Sequence, residues 1–311
     1  MTGLGPQLPA NWYLLGPAHD LKHGAVASYA IGGRDIVVYC TAETGEPIAM
    51  AAHCAHMGCH LGNGEVRGQA LRCPLHYRLI GPDGVFAGGK DKPLRQPVLP
   101  VRTFMDGLFV YLGDPAAAPD LSALGLEGNA SCYAGEREFP IPWQWLVANG
   151  LDIEHLSAVH DRDLLEPPVL TIDGTRELTV RYRTRPQRAG LSDRVMARLA
   201  PDGVLGTIRT LGGSMMLVEA RLGRHETFIL MSFAPQPGGG TRISGIAGVR
   251  GADTWPNRLL ARIARALFKS FLYKDLAVLD RIDWHGPQQI DALGDDYMQQ
   301  VCGFFRSLPH A

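Results

Sequence analysis

The chain lacks an excess of either charge: across 311 residues, 30 Lys and Arg stand against 31 Asp and Glu, a formal net charge of -1. That balance leaves no electrostatic footprint for a nucleic-acid backbone or an anionic membrane surface, so neither is an expected partner. Long apolar runs are also missing. Arg, Asp or Gly interrupts every stretch before it reaches the roughly 20 residues that cross a bilayer. The opening MTGLGPQLPA has neither a basic nor an apolar signal region, and a cytoplasmic address is expected. No G-x-G-x-x-G follows a strand and opens a helix, which excludes a nicotinamide or flavin site of that type. No repeat recurs at a fixed period. Six cysteines are too few for a disulfide framework in a chain of this length.

What the chain does have is enough length for about two cores. The first part reads as short strands cut by turns: AVASYAI and RDIVVYC joined by Gly32-Gly33, then IAMAAH, Val98 to Phe104, and Leu108 to Leu112 after Asp106-Gly107. The Pro/Ala/Gly-rich stretch that follows has no sustained pattern and reads as a linker. The expected units are 1–115, a linker at 116–131, and 132–311. In the second unit, PWQWLVANGLDIEHLSAVH has helical spacing, and Leu178, Val180 and Tyr182 alternate as in a strand. SMMLVEARL, HETFILMSFAP and RISGIAGVR are further strand-like runs, and Asn257 to Trp284 is amphipathic over a major helix. An antiparallel sheet with a helix laid against it encloses a cavity.

Three of the cysteines, Cys54, Cys59 and Cys73, are interleaved with His53, His56, His60 and His76. Cys54-x-His56 is followed, after sixteen residues, by Cys73-x-x-His76. Two loops that each present a thiolate and an imidazole can hold one zinc ion, or a two-iron cluster with thiolates on one iron and imidazoles on the other. Zinc sites more often use C-x2-4-C knuckles or a helical H-x3-5-H pair. The run CAHMGCHLGNGEVRGQALRCPLHYRLIGPDG resembles the two ligand boxes of a Rieske [2Fe-2S] domain. By that resemblance Cys54 and Cys73 hold one iron, and His56 and His76 the other. Neutral imidazoles in place of thiolates raise the potential of such clusters to about -150 to +300 mV. Respiratory Rieske subunits carry a disulfide between the boxes, whereas here Leu75 stands where the partner of Cys59 would sit. Tyr77-Arg78 replaces the Gly-Trp common after the second box in oxygenases. Cys40, Cys59, Cys132 and Cys302 are expected to pack structurally, and His53 and His60 to flank the ligands without binding.

A second group lies in the second unit, where Asp152, His155 and His160 form D-x2-H-x4-H with Asn149 just upstream. Five residues on a regular helix turn about 500°, leaving the imidazoles roughly 140° apart, so either a π-bulge intervenes or the helix ends between them. Asp152 and His155, three apart, would share a helical face. Behind a Rieske motif this string resembles the iron site of Rieske non-heme iron oxygenases. The resemblance implies a mononuclear Fe(II) held by His155, His160 and a distant carboxylate, with positions left open for dioxygen. Asp275 in FLYKDLAVLD is the expected third ligand, with Asp280 and Asp283 as alternatives. It further implies that Asp152 bridges His76 of the partner subunit to His155, and that Asn149 lines the iron pocket without binding.

The expected fold class is α+β: an N-terminal all-β Rieske [2Fe-2S] domain, then a helix-grip (START-like) antiparallel sheet with a long C-terminal helix. The resemblance covers about residues 11 to 305. It implies the terminal oxygenase of a multicomponent system, nearer the monooxygenase than the arene dioxygenase branch. Such an enzyme takes electrons from a separate reductase or ferredoxin, consumes O2, acts on a small apolar, cyclic organic substrate and forms a homotrimer. An electron carrier with a non-catalytic small-molecule-binding C-terminal domain is the alternative. Met215, Met216, Phe228, Leu230, Met231, Phe233, Leu164, Leu165 and Val169 are pocket candidates, of which only alternate strand members can face one cavity.

Overall fold

The computed structural model describes residues 7–87, 94–187, 198, 200–279 and 296–311. Asp280 and Asp283 lie outside them.

In the first unit, Val26–Ile31, Arg34–Cys40, Pro47–Ala51 and Val98–Leu99 form one antiparallel sheet in that order. The first hairpin turns through Gly32 and Gly33 at φ 56° and 79°, a left-handed pair that side chains with a Cβ resist. Asn11–Pro17, Gly107–Leu112 and Val101–Phe104 make a second sheet. The run expected as one strand from Val98 to Phe104 is divided between the two sheets at Pro100, which has no N–H to give to a ladder. A small third sheet of Glu65–Arg67, Ala70–Arg72 and Leu79–Ile80 carries the second Cys/His loop between its last two strands, while the first follows Pro47–Ala51 and is closed by a bridge between His53 and His60.

The stretch at 116–131 contains a 3-10 turn at Leu121–Leu124, capped by Asp120, and the first residues of strand Asn129–Phe139. That strand heads an eight-stranded antiparallel sheet. It is followed in order by Thr241–Ala252, His225–Pro235, Met215–Leu222, Val204–Leu211, Glu177–Pro186 and Arg162–Leu164, while Val169–Asp173 also pairs with Glu177–Pro186. Helices α1 (Trp143–Leu151), α2 (His155–Ala158), α3 (Trp255–Leu279) and α4 (Asp296–Arg306) complete the described chain. α3 lies across Thr241–Ala252 and Asn129–Phe139. α4 packs on α1, with the Phe305 and Trp143 rings 5.7 Å apart. None of the described helices is long and apolar enough to cross a membrane.

The period-2 rule divides the sheet's side chains between two faces. Met215, Leu217, Phe228 and Leu230 pack against Trp12, Leu14, Phe109 and Tyr111 of the first unit. Burying those four sheet residues contributes on the order of 6–12 kcal/mol, so the two units share a core. Met216 and Met231, paired across adjacent strands, point the other way into a cavity beneath α3.

Candidate metal centres and cavity

The two Cys/His loops are built alike. In the first, Cys54 N–H donates to the Cys59 carbonyl (2.8 Å) and the Cys54 carbonyl accepts from Gly58 N–H (2.7 Å). In the second, Cys73 N–H donates to the Arg78 carbonyl (2.9 Å) and the Cys73 carbonyl accepts from Tyr77 N–H (3.0 Å). Each loop thus needs a left-handed residue four places after its cysteine: Gly58 at φ 74° and Tyr77 at φ 53°. Tyr77 therefore sits where glycine is the easy choice, and its exposed ring lies under the Arg72 guanidinium at 4.8 Å.

Cys54 and Cys73 are buried beneath the tip, among Val37, Tyr39, Met50, Leu61, Leu71 and Ile80. Burial raises the Cys54 thiol above its ordinary value, and the neighbouring Cys73 thiol raises it further. His56 and His76 stand exposed at the tip with ring centroids 4.9 Å apart. Two thiols crowded together in an apolar layer below two imidazoles in edge-to-face contact form a donor set suited to a cluster with a sulfur end and a histidine end.

Residues around the boxes brace them. His53 contacts the Gly58 carbonyl and Asp35, both at 3.2 Å, and His60 Nδ1 accepts from Gly62 N–H at 3.1 Å. Gln96 was not visible as a site residue in the sequence. It is 2% exposed; its Oε1 accepts from Ala55 N–H at 2.7 Å, while its Nε2 donates to the carbonyls of Ala51 (2.7 Å) and His53 (3.0 Å). Cys40 and Cys302 are buried, and Cys59 and Cys132 half-buried.

At the second group the helix ends between its members. α1 stops at Leu151, Asp152 turns extended, and α2 supplies a single turn before His160. Asp152 and His155 therefore do not share a helical face. The His155 Nδ1–H donates to the Asp152 main-chain carbonyl, while the Asp152 carboxylate accepts from Glu154 N–H at 3.0 Å. Tyr297 on α4, another residue the sequence did not single out, donates its hydroxyl to the Leu151 carbonyl at 2.7 Å and pins this helix end. Asn149 is half-buried on α1, beside Gly150, which lines the cavity.

His155, His160 and Asp275 converge from α2, the turn after it and α3, with one ligand atom from each within 4.8 Å of the others. Asp275 Oδ1 lies 2.6 Å from His160 Nε2 and 3.4 Å from His155 Nε2. Burial works against the Asp275 charge, yet the bonds from His155 and His160 hold its carboxyl below the usual range. Burial likewise opposes protonation of His155, but Asp275 raises it overall. The His160 ring stacks on Phe271 at 4.6 Å. An ionised carboxylate and two imidazoles converging at this spacing fit a divalent iron, whose charge would replace the shared protons.

All three residues line a cavity of about 890 Å³. Its walls are largely apolar: Met216, Val218, Ile229 and Met231 from the sheet, and Leu260, Ile263, Leu267 and Phe271 from α3. Of the pocket candidates, Met216 and Met231 belong to it. Met215, Phe228 and Leu230 lie on the opposite sheet face, and Phe233 and Leu164 pack in the core beside α1. Leu165 and Val169 are exposed at 37% and 60%: Leu165 lies just past the end of strand Arg162–Leu164, and Val169 opens the largely exposed strand Val169–Asp173.

Residues 11–96 match the Rieske [2Fe-2S] domain family. The chain is 28% identical over 178 residues to cholesterol 7-desaturase of Bombyx mori, covering 52% of this chain and 38% of that protein. It is 26% identical over 164 residues to the oxygenase component of chloroacetanilide N-alkylformylase of Rhizorhabdus wittichii, covering 49% and 47%. The chain thus spans less than half the length of these relatives in the matched regions. The crystal structure of dicamba monooxygenase bound to dicamba superposes with a TM-score of 0.62 at 15% identity, over 96% of this chain and 97% of that one. The α+β architecture, a Rieske domain followed by an antiparallel sheet and a long helix, is therefore shared along 96% of the chain.

Proposed function

We propose that this chain, whose residues 11–96 belong to the Rieske [2Fe-2S] domain family, is the terminal oxygenase of a multicomponent system. In this reading it uses O2 and two electrons from a separate reductase or ferredoxin to hydroxylate or oxidatively demethylate an apolar organic substrate. The observation that carries the reading is the convergence of His155, His160 and Asp275 on one wall of a large apolar cavity, in the same chain as a Rieske domain. Relatives named as an oxygenase component and a monooxygenase support it.

Cys54, Cys73, His56 and His76 would hold the [2Fe-2S] cluster, and His155, His160 and Asp275 a mononuclear Fe(II). When bound, the cluster supplies single electrons and the mononuclear iron supplies dioxygen activation. The chain's own residues do the rest. The Asp152 carbonyl fixes which nitrogen of His155 carries the proton, leaving Nε2 to face the cavity. Phe271 keeps the His160 ring in place by stacking. Met216, Val218, Ile229 and Met231 exclude water and make burial of apolar surface the main binding term, about 25 cal/mol per Å². The Asp152 carboxylate, half-buried at the end of α1, would receive His76 of the partner subunit, and Asn149 would border the iron pocket.

The proposal assigns electron entry to 1–115, a linker to 116–131 and oxygen chemistry to 132–311, in a homotrimer with a cytoplasmic address. It is tested with iron-loaded protein and a surrogate reductase by following O2 uptake and product mass across apolar substrates. Substrate-dependent O2 uptake with a product heavier by one oxygen, or demethylated, is expected. A reducible cluster with no substrate-dependent O2 uptake would instead establish the electron-carrier reading.

A further inference from the structure

Net charge averages over a whole surface and conceals a local pattern on α3. From Asn257 to Lys274 the chain carries Arg258, Arg262, Arg265, Lys269 and Lys274 and no acidic residue. At about 100° per residue, Arg258, Arg262, Arg265 and Lys269 form one row along the helix. Arg258 is held by Asp253 through bonds of 2.7 and 2.6 Å, while Arg262 and Lys269 are exposed and form no ion pair among the described residues. Beside that row runs a stripe of large apolar side chains at four-residue steps: Trp255, Leu259, Ile263 and Leu267, exposed at 77%, 50%, 49% and 55%. Exposing four such side chains in line is costly unless something covers them.

The stripe is continuous with the cavity. Ile263 and Leu267 both line the cavity and face outward, so it opens between the apolar stripe and the sheet. The helix thus has three sectors: one toward the core, one apolar and exposed at the cavity mouth, and one basic. That division is the physical signature of a helix lying in a lipid interface, with its apolar face at the headgroup and acyl boundary and its cations against phosphates.

We propose that the first half of α3 seats the protein on an anionic lipid surface, so that the cavity opens directly onto the bilayer. The occupant is a lipid leaflet because the apolar stripe is flanked on one side by cations and on the other by a cavity that takes apolar molecules from wherever they partition. Docking goes beyond the oxygenase reading, and its test needs no turnover.

The test is flotation of the cluster-loaded full chain with vesicles of phosphatidylcholine alone, and of phosphatidylcholine with about a third phosphatidylglycerol. Binding is expected to the anionic vesicles at about 0.1 M salt and to be lost at about 0.5 M, where screening is stronger. Arg262→Glu, a change of two charges, should weaken binding roughly thirtyfold, and Arg262→Lys should restore it. The Trp255→Ser/Leu259→Ser double variant, outside the cavity, should abolish binding while keeping the cluster's visible absorbance. Failure of the intact protein to float with anionic vesicles would overturn the proposal, as would variants that float like the parent. So would dissociation of an oligomer by the double variant without any vesicle binding, which would assign the stripe to a second copy of the chain.

Discussion

Replacing Gln96 by Leu should loosen the first ligand loop without touching a ligand. Leucine nearly matches the volume of glutamine, so packing is kept and the change isolates three hydrogen bonds. Gln96 now takes the Ala55 N–H and serves the Ala51 and His53 carbonyls. A buried polar group left without a partner costs about 1–3 kcal/mol. Ala55 and His53 are exposed, so water can replace part of what they lose. The net expectation is a loss of about 2–3 kcal/mol, or roughly 30- to 150-fold in the opening equilibrium of the loop. The assay is the decay of the cluster's visible absorbance under chelator across a urea series, which reports opening of the loop around Cys54 and His56. Gln96→Glu keeps the acceptor for Ala55 but sets a carboxylate against two carbonyls, and should be at least as labile. A Gln96→Leu protein that holds its cluster as long as the parent would refute the idea that this side chain fixes the loop.

Gly58→Ala should cost about 1–2 kcal/mol, because its φ of 74° disfavours any Cβ although nothing lies within 4 Å of the added atom; chemical denaturation checks this. Asp152→Asn can still accept from Glu154 N–H through its amide oxygen, so both metals should remain bound while turnover falls by 100-fold or more if the carboxylate carries the inter-subunit contact. Full turnover in that variant would remove Asp152 from the electron path. Ala220→Phe, on the cavity wall, should raise KM for bulky substrates about tenfold or more and spare small ones; equal effects on both would mean that substrate does not occupy this part of the cavity.

The ligand boxes were legible because four donors fall within twenty-three residues, where spacing alone constrains them. Leu178 and Val180 were legible as a buried strand face because their alternation is unbroken. Strand Asn129–Phe139 escaped because it holds a left-handed Gly135 and a register shift between Tyr133 and Gly135, which breaks its period. α4 escaped because DDYMQQVCGFFR opens on acids and carries a glycine, although Val301, Cys302 and Phe305 lie at helical steps and pack in the core. Met215 and Met216 are equally apolar, and only pairing register tells which of them faces the cavity. Gln96 has no local signature, since its role comes from Val98–Leu99 pairing beside Pro47–Ala51, far away in sequence.

A chain that holds both an iron–sulfur cluster and a separate iron at His155, His160 and Asp275 must show both in its metal content. The direct measurement is iron and acid-labile sulfide per chain in anaerobically loaded protein, for the parent and for Asp275→Ala. The parent should contain about three irons and two sulfides per chain, falling to about two irons with sulfide unchanged in the variant. About two irons and two sulfides in both proteins would rule out the separate iron.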